Sequence, residues 1–191
     1  MLMKIETIWQ PETQQRVFRE LVEAFSHPGD VRDLEPHVAE SNAQRAVLAA
    51  LMDGEVTLAD PHQRISEQDW PLLQARREIS EKASYVAASG SQPPDFQPAL
   101  GSLESPESGA AILLEVEVIG QGQLCLQLSG PGVDGERALH LSGLHEDWLE
   151  RRAEWVESFP LGVDLLLSDA RRIVALPRTT RIRHAPHASE R

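Results

Sequence analysis

The chain holds one cysteine, Cys125, and two lysines, Lys4 and Lys82, against sixteen arginines. A single cysteine excludes an intramolecular disulfide. It also cannot supply the set of thiolates that usually holds an iron–sulfur cluster, so cluster or radical chemistry would have to reside on another chain. Pyridoxal phosphate needs a lysine in a core or cleft. Lys4 lies in the first residues and Lys82 stands beside Glu81 in no apolar strand, so no cofactor is expected. No apolar run approaches the roughly 18 residues that cross a bilayer. The opening Met1-Leu-Met-Lys-Ile lacks the uninterrupted apolar segment of a signal peptide, which makes a cytoplasmic location the expectation. Basic charge is also scarce. Thirty Asp and Glu against eighteen Lys and Arg give a formal net charge of −12. That balance speaks against nucleic acid and against an anionic membrane as ligands.

Catalytic and metal signatures are missing as well. The seven histidines (His27, His37, His62, His140, His145, His184 and His187) form no His-Glu-x-x-His pattern and no cysteine–histidine pair, so no metal is expected. There is no Gly-x-Ser-x-Gly elbow for acyl transfer. Cys125 shares one face of a short strand with Gln123 and Gln127, without an adjacent His or Arg to activate it.

What is present is the composition of a folded domain. The 191 residues are 41% hydrophobic and 25% charged, enough for one core without covalent staples. A single domain over 1–191 is expected, with its tail at 183–191. Val17, Phe18, Leu21, Val22 and Phe25 recur at helical spacing and predict a helix over 12–26, stopped by Pro28-Gly29. A short strand is expected at 31–34. Ser41 or Asn42 caps a second helix running to Met52, and 55–59 alternates as a strand. A third helix is expected from Ser66 or Asp69 through Arg77, and a strand over 84–88. Residues 89–109 are rich in Pro, Gly and Ser, with one short helix expected at 95–100. Strands at 112–119 and 124–128 read as a hairpin across Gly120-Gln121-Gly122, half exposed or covered by a partner. A strand at 136–141 and a helix at 144–158 follow, the helix striped by Leu144, Trp148, Leu149, Trp155 and Val156, with core packing the expected role of Trp148 and Trp155 and a partner interface the alternative. Strands alternate with helices first and hairpins dominate later. The fold class that follows is α/β, a three-layer arrangement of a mixed β-sheet with helices on both faces.

Val163–Leu167 and Ile173–Leu176 flank a polar turn and predict a second hairpin, apolar on both faces. Pairing Leu167 with Ile173 sets Val163, Leu165 and Leu167 on one face and Leu166, Val174 and Leu176 on the other. Asp164 is the carboxylate in this apolar run, and a buried carboxylate needs partners. The register sets it diagonal to Arg178, so Asp164, Arg178, Thr179 and Thr180 form a candidate polar site. A structural ion pair pinning the hairpin end is the competing reading of the same residues. A second candidate is the loop Ser129-Gly-Pro-Gly-Val-Asp-Gly135, where amides of Gly130 and Gly132 could cradle phosphate. It has neither the lysine of a P-loop nor a following helix, and a plain turn is the alternative.

Phe159-Pro-Leu-Gly-Val-Asp-Leu165 with Leu176-Pro-Arg-Thr-Thr180 resembles the PhnH family of carbon–phosphorus lyase subunits, which serve bacterial phosphonate catabolism. Phe18-Arg19-x-Leu21, Ser26-x-Pro28-Gly29, Pro106-Glu107-x-Gly109-Ala110 and Gly130-x-Gly132-Val133 extend the resemblance over about residues 13–182. It implies a fold like the large domain of fold-type I pyridoxal-phosphate transferases, stripped of cofactor. It implies a homodimer that joins the G, I and J subunits of the carbon–phosphorus lyase core complex. That complex transfers phosphonate to ribose C1 of ATP and releases adenine, giving ribose 1-phosphonate 5-triphosphate. The chain is then a subunit without a complete active site of its own. The alternative is an independent phosphate-binding protein or small-molecule transferase built on the Gly130 loop and Arg178.

Overall fold

The structure, a computed structural model, describes residues 6–38 and 41–184. Helix α1 (Pro11–Ser26) begins on a proline whose missing N–H costs nothing in a first turn. It buries Val17, Leu21 and Ala24 on one side. Strand β1 (Arg32–Asp33) and the short α2 (Glu35–Val38) lead to α3 (Ala43–Leu51), capped by Asn42, whose side-chain oxygen accepts from the Arg45 N–H at 2.9 Å. Then come β2 (Thr57–Ala59), α4 (Trp70–Leu73), β3 (Arg76–Arg77), β4 (Tyr85–Ser89), β5 (Ala111–Glu115), β6 (Val118–Ser129) and β7 (Arg137–Ser142). Helix α5 (Asp147–Val156) and strands β8 (Asp164–Ser168), β9 (Arg172–Leu176) and β10 (Arg181–His184) complete the chain.

Two sheets result. The larger has the order β1-β9-β8-β5-β4-β2-β3, parallel from β3 to β8 and antiparallel at β9 and β1. The smaller is antiparallel, β10-β6-β7. One face of the large sheet, through Ala87, Leu113, Leu166 and Ala175, packs on α1 and α3. The other face, through Ile112, Leu114, Leu165 and Leu167, packs on Leu126, Leu128, Leu139 and Leu141 of the small sheet and on Trp148 and Trp155 of α5. The fold is α/β with a mixed sheet, as expected. The second face differs, because α5 shares it with a sheet.

That difference traces to the segment read as a hairpin. The chain does not turn at Gly120–Gly122. It breaks at Val116–Glu117, so β5 stays in the large sheet and β6 enters the small one. Gly120 and Gly122 lie inside β6 at a bulge between Ile119 and Leu124, both at positive φ. Glycine in a strand interior marks such a bulge as readily as a turn. Helix α4 ends at Leu73, because Gln74 takes the left-handed conformation (φ 60°) and Arg76–Arg77 pairs with β2. No helix forms at 95–100. Pro98 offers no N–H, and the residue before a proline disfavours the helical region. Phe96 instead packs on Trp148 and Trp155, with ring centroids 6.0 and 6.2 Å apart. The tryptophan N–H groups pin this loop, Trp148 to the Gln92 carbonyl at 2.8 Å and Trp155 to Gln97 Oε1 at 3.1 Å.

The β8–β9 hairpin forms one residue out of the expected register, pairing Ser168 with Ile173 and Leu167 with Val174. A one-residue slip turns a strand over. Val174 and Leu176 therefore lie with Leu165 and Leu167, and Ala175 lies with Leu166. Arg183 and His184, assigned to the tail, belong to β10, while His187 and Lys4 lie outside the described residues. No helix among the described residues is long and apolar enough to cross a membrane.

Candidate functional site

Asp164 opens β8, so the pair found from sequence sits at the amino edge of the parallel strands. Its Oδ1 accepts the Arg178 backbone N–H at 2.7 Å, and its Oδ2 accepts Nη2 at 2.7 Å and Nε at 3.2 Å. Arg178 Nη1 donates to the carbonyls of Pro106 (2.8 Å) and Pro160 (3.2 Å). The Arg178 side chain is only 13% exposed, and one N–H of its fork is left over. Thr179 is exposed. Thr180 is buried, and its N–H donates to the Pro177 carbonyl. The arrangement braces three segments that are far apart in sequence.

Gly109 shows how closely they meet. A Cβ there would collide with the Gly162 carbonyl oxygen and lie 3.0 Å from Arg178 Nη1. The Gly130 loop is a second such joint. Gly132 (φ +79°) has room for no side chain, since a Cβ would come 2.5 Å from the Ser26 carbonyl oxygen and 2.7 Å from Pro28 Cδ. At Gly130 a Cβ would lie 2.9 Å from the Thr179 carbonyl oxygen. The space beside these glycines is thus filled by the chain's own backbone, with carbonyl oxygens facing it. Most of the motifs that carry the family resemblance fall into these two joints: Pro106–Ala110 with Phe159–Asp164 and Arg178, and Ser26–Gly29 with Gly130–Val133.

The opposite, carboxyl edge carries a cavity of about 840 Å³, lined among others by Trp9, Gln44, Arg45, Arg64, Asp69 and Glu115. Open α/β sheets bind ligands at this edge. Arg45 spends every N–H inside the protein: Nε and Nη2 on Asp69 at 2.8 and 2.7 Å, Nη1 and Nη2 on Glu6 at 2.8 and 3.0 Å, and Nη1 on Ser41 Oγ at 2.9 Å. The guanidinium holds Asp69 and Glu6 below the ordinary carboxylate range, and they raise Arg45 in turn. Arg64 pairs with Glu115. The cavity's charged side chains are mutually neutralised, with one carboxylate in excess. Among the described residues lining it, Arg45 has no N–H left for a phosphate or phosphonate, while Arg64 engages Glu115 through Nη2 alone.

Sequence reasoning did not find the Arg45 cluster, whose members lie 24 and 39 residues apart. It also missed Asp169, buried in the β8–β9 turn. Burial opposes its ionisation, but the N–H groups of Arg171, Ile119 and Arg172 and the Arg172 side chain outweigh this and hold the carboxyl low. Aspartate accepting N–H bonds two and three residues on is ordinary turn chemistry, a signal present in Asp169-Ala-Arg-Arg172. The bond to Ile119 also ties the large sheet to the small one. Cys125 is half-buried and stands opposite His140 across β6 and β7, a neighbour that sequence distance hides.

Comparison with known proteins gives these joints a context. Residues 6–183 match the family model described as "Bacterial phosphonate metabolism protein (PhnH)". The chain is 43% identical over 175 residues to the Stutzerimonas stutzeri protein named "Putative C-P lyase subunit protein HtxG", covering 92% of this chain and 88% of that one. It is 27% identical over 179 residues to the "Alpha-D-ribose 1-methylphosphonate 5-triphosphate synthase subunit PhnH" of Rhizobium meliloti (strain 1021), covering 88% and 89%. The chain belongs to the PhnH family of bacterial phosphonate metabolism proteins.

Proposed function

We propose that this chain is a subunit of a carbon–phosphorus lyase complex, needed when phosphonate is transferred to ribose C1 of ATP and adenine leaves, and that it lacks a complete active site of its own. The observation that carries this reading is the state of the arginines at its two candidate sites. Arg45 is saturated, Arg64 is paired, and Arg178 is braced by one carboxylate and two carbonyls. An enzyme acting alone on a polyanionic nucleotide presents free donors where charge develops. Here Arg45 and Arg178 keep a single N–H between them, and the charge of Arg64 is met by Glu115. The relatives' names add that one is a subunit of a ribose 1-methylphosphonate 5-triphosphate synthase and another a C-P lyase subunit.

On the same reading the chain pairs as a homodimer, works in the cytoplasm as one domain, and joins the G, I and J subunits. Its large sheet then corresponds to the large domain of fold-type I pyridoxal-phosphate transferases. The parallel run from β3 to β8 supports this, while Lys82, the one described lysine, is exposed and outside the cavity. If Asp164, Arg178, Thr179 and Thr180 serve function, they do so by holding a surface for partners. The test is co-expression of the tagged chain with the other subunits of its complex. Stoichiometric co-purification is expected. Failure to co-purify, together with saturable nucleotide or phosphonate binding by the isolated chain, would favour the independent phosphate-binding protein or transferase.

A further inference from the structure

Arg152 lies on the apolar stripe of α5 between Trp148 and Trp155 and is 4% exposed. Its Nη2 donates to two carbonyls, Pro177 at 2.7 Å and Thr180 at 3.0 Å. Its Nε has no partner among the described residues. Neither has Oγ1 of Thr180, a residue 2% exposed whose own carbonyl is one of those two acceptors. Two unpartnered buried polar atoms therefore belong to residues already in contact, in a class of atom that is seldom left unsatisfied.

Charge makes the case stronger. Among the described residues Arg152 forms no ion pair. The carboxylate that acts on it is Asp164, which is already engaged by the Arg178 fork. Asp164, Arg178 and Arg152 thus hold one positive charge in excess, and it resides on the most buried of the three. Burial pushes the Arg152 guanidinium down to about 10, which leaves it charged at neutral pH. Buried charges are normally paired.

We propose that Arg152 Nε and Thr180 Oγ1 form a built site for a small monovalent anion of the chloride class. A water molecule would satisfy the N–H and O–H groups and leave the charge uncompensated. A halide accepts both hydrogen bonds and cancels the charge. With the two residues 4% and 2% exposed, a monatomic ion is the ligand proposed in preference to phosphate or a carboxylate. Bound there, the anion ties α5 to the Pro177–Thr180 segment that links β9 with β10, and so secures the brace around Arg178.

Crystals soaked in sodium bromide should show an anomalous peak at hydrogen-bonding distance from Arg152 Nε and Thr180 Oγ1. In solution, the melting temperature should rise with each tenfold step of sodium chloride against sodium gluconate at constant ionic strength, since only the folded state binds the ion. That rise should vanish in Arg152→Met and weaken in Thr180→Val. If Arg152→Met does not fold, Thr180→Val and the bromide map decide the matter alone. Equal curves in chloride and gluconate, a full chloride effect retained in Thr180→Val, or a bromide peak elsewhere with none at Arg152 would each overturn the proposal.

Discussion

Replacing Arg178 with methionine is the sharpest perturbation of the amino-edge joint. Methionine keeps much of the side chain's length and removes every N–H. Asp164 then keeps only the backbone N–H of residue 178, and the carbonyls of Pro106 and Pro160 lose their donor. Removing one member of a buried pair costs about 3–5 kcal/mol. The side chains here are 13% and 25% exposed, so water recovers part of the loss and the lower end, about 3 kcal/mol, is expected. For a chain of this size about 1 kcal/mol moves the melting temperature by roughly 2–4 °C, so a fall of about 6–12 °C should be seen by calorimetry. Asp164→Asn should also destabilise, because its amide would face Nη2, a donor. Asp134→Asn, on an exposed loop, should stay within about 0.5 kcal/mol of the parent. The double variant Asp164→Asn/Arg178→Met should fall short of the sum by about 0.5–3 kcal/mol. A melting temperature of Arg178→Met indistinguishable from that of Asp134→Asn would refute the brace.

Gly109→Ala is expected to destabilise through collision with the Gly162 carbonyl, whereas Gly54→Ala, with nothing within 4 Å of the added carbon, should be near neutral; urea midpoints compare the two. Acid should expose the Arg45 cluster and Asp169. A carboxyl whose folded value is depressed stabilises fully above its unfolded value and less as pH falls through the folded one. The decline should therefore begin near 4.5 for Glu6 and near 3.8 for Asp69 and Asp169, and proceed below. Arg45→Met should flatten that limb of a pH–stability curve, and an unchanged slope would count against the cluster. Light scattering at tens of micromolar should return twice the chain mass, 21.2 kDa, and a strict monomer would remove the homodimer.

Local chemistry was legible in the sequence where its partners were local. Val17, Phe18, Leu21, Val22 and Phe25 announce α1, although Phe18 and Val22 stay half exposed and Ala24 joins the buried side. Ser41 or Asn42 announces the cap of α3, which Asn42 supplies, and the β8–β9 hairpin announces itself with its Asp164–Arg178 pair. The register was not legible, because Asp169 tightens the turn by hydrogen bonds that no alternation of apolar residues encodes. Gly120 and Gly122 misled because glycine permits a turn and a bulge alike, and only the neighbouring Leu141 backbone selects the bulge. The carboxyl-edge cluster was invisible for a different reason: Glu6, Arg45 and Asp69 meet only once α3 has packed on the sheet. Arg152 could have been noticed, since an arginine between Trp148 and Trp155 at helical spacing breaks an apolar stripe.

The central claim, that this chain works only within an assembly, is tested most directly by adenine release from ATP in the presence of a phosphonate. The assay compares the purified chain alone, its partner subunits alone, and the reconstituted mixture. Release is expected from the mixture and from neither part. Turnover by the isolated chain, or undiminished turnover by the partners without it, would contradict the account.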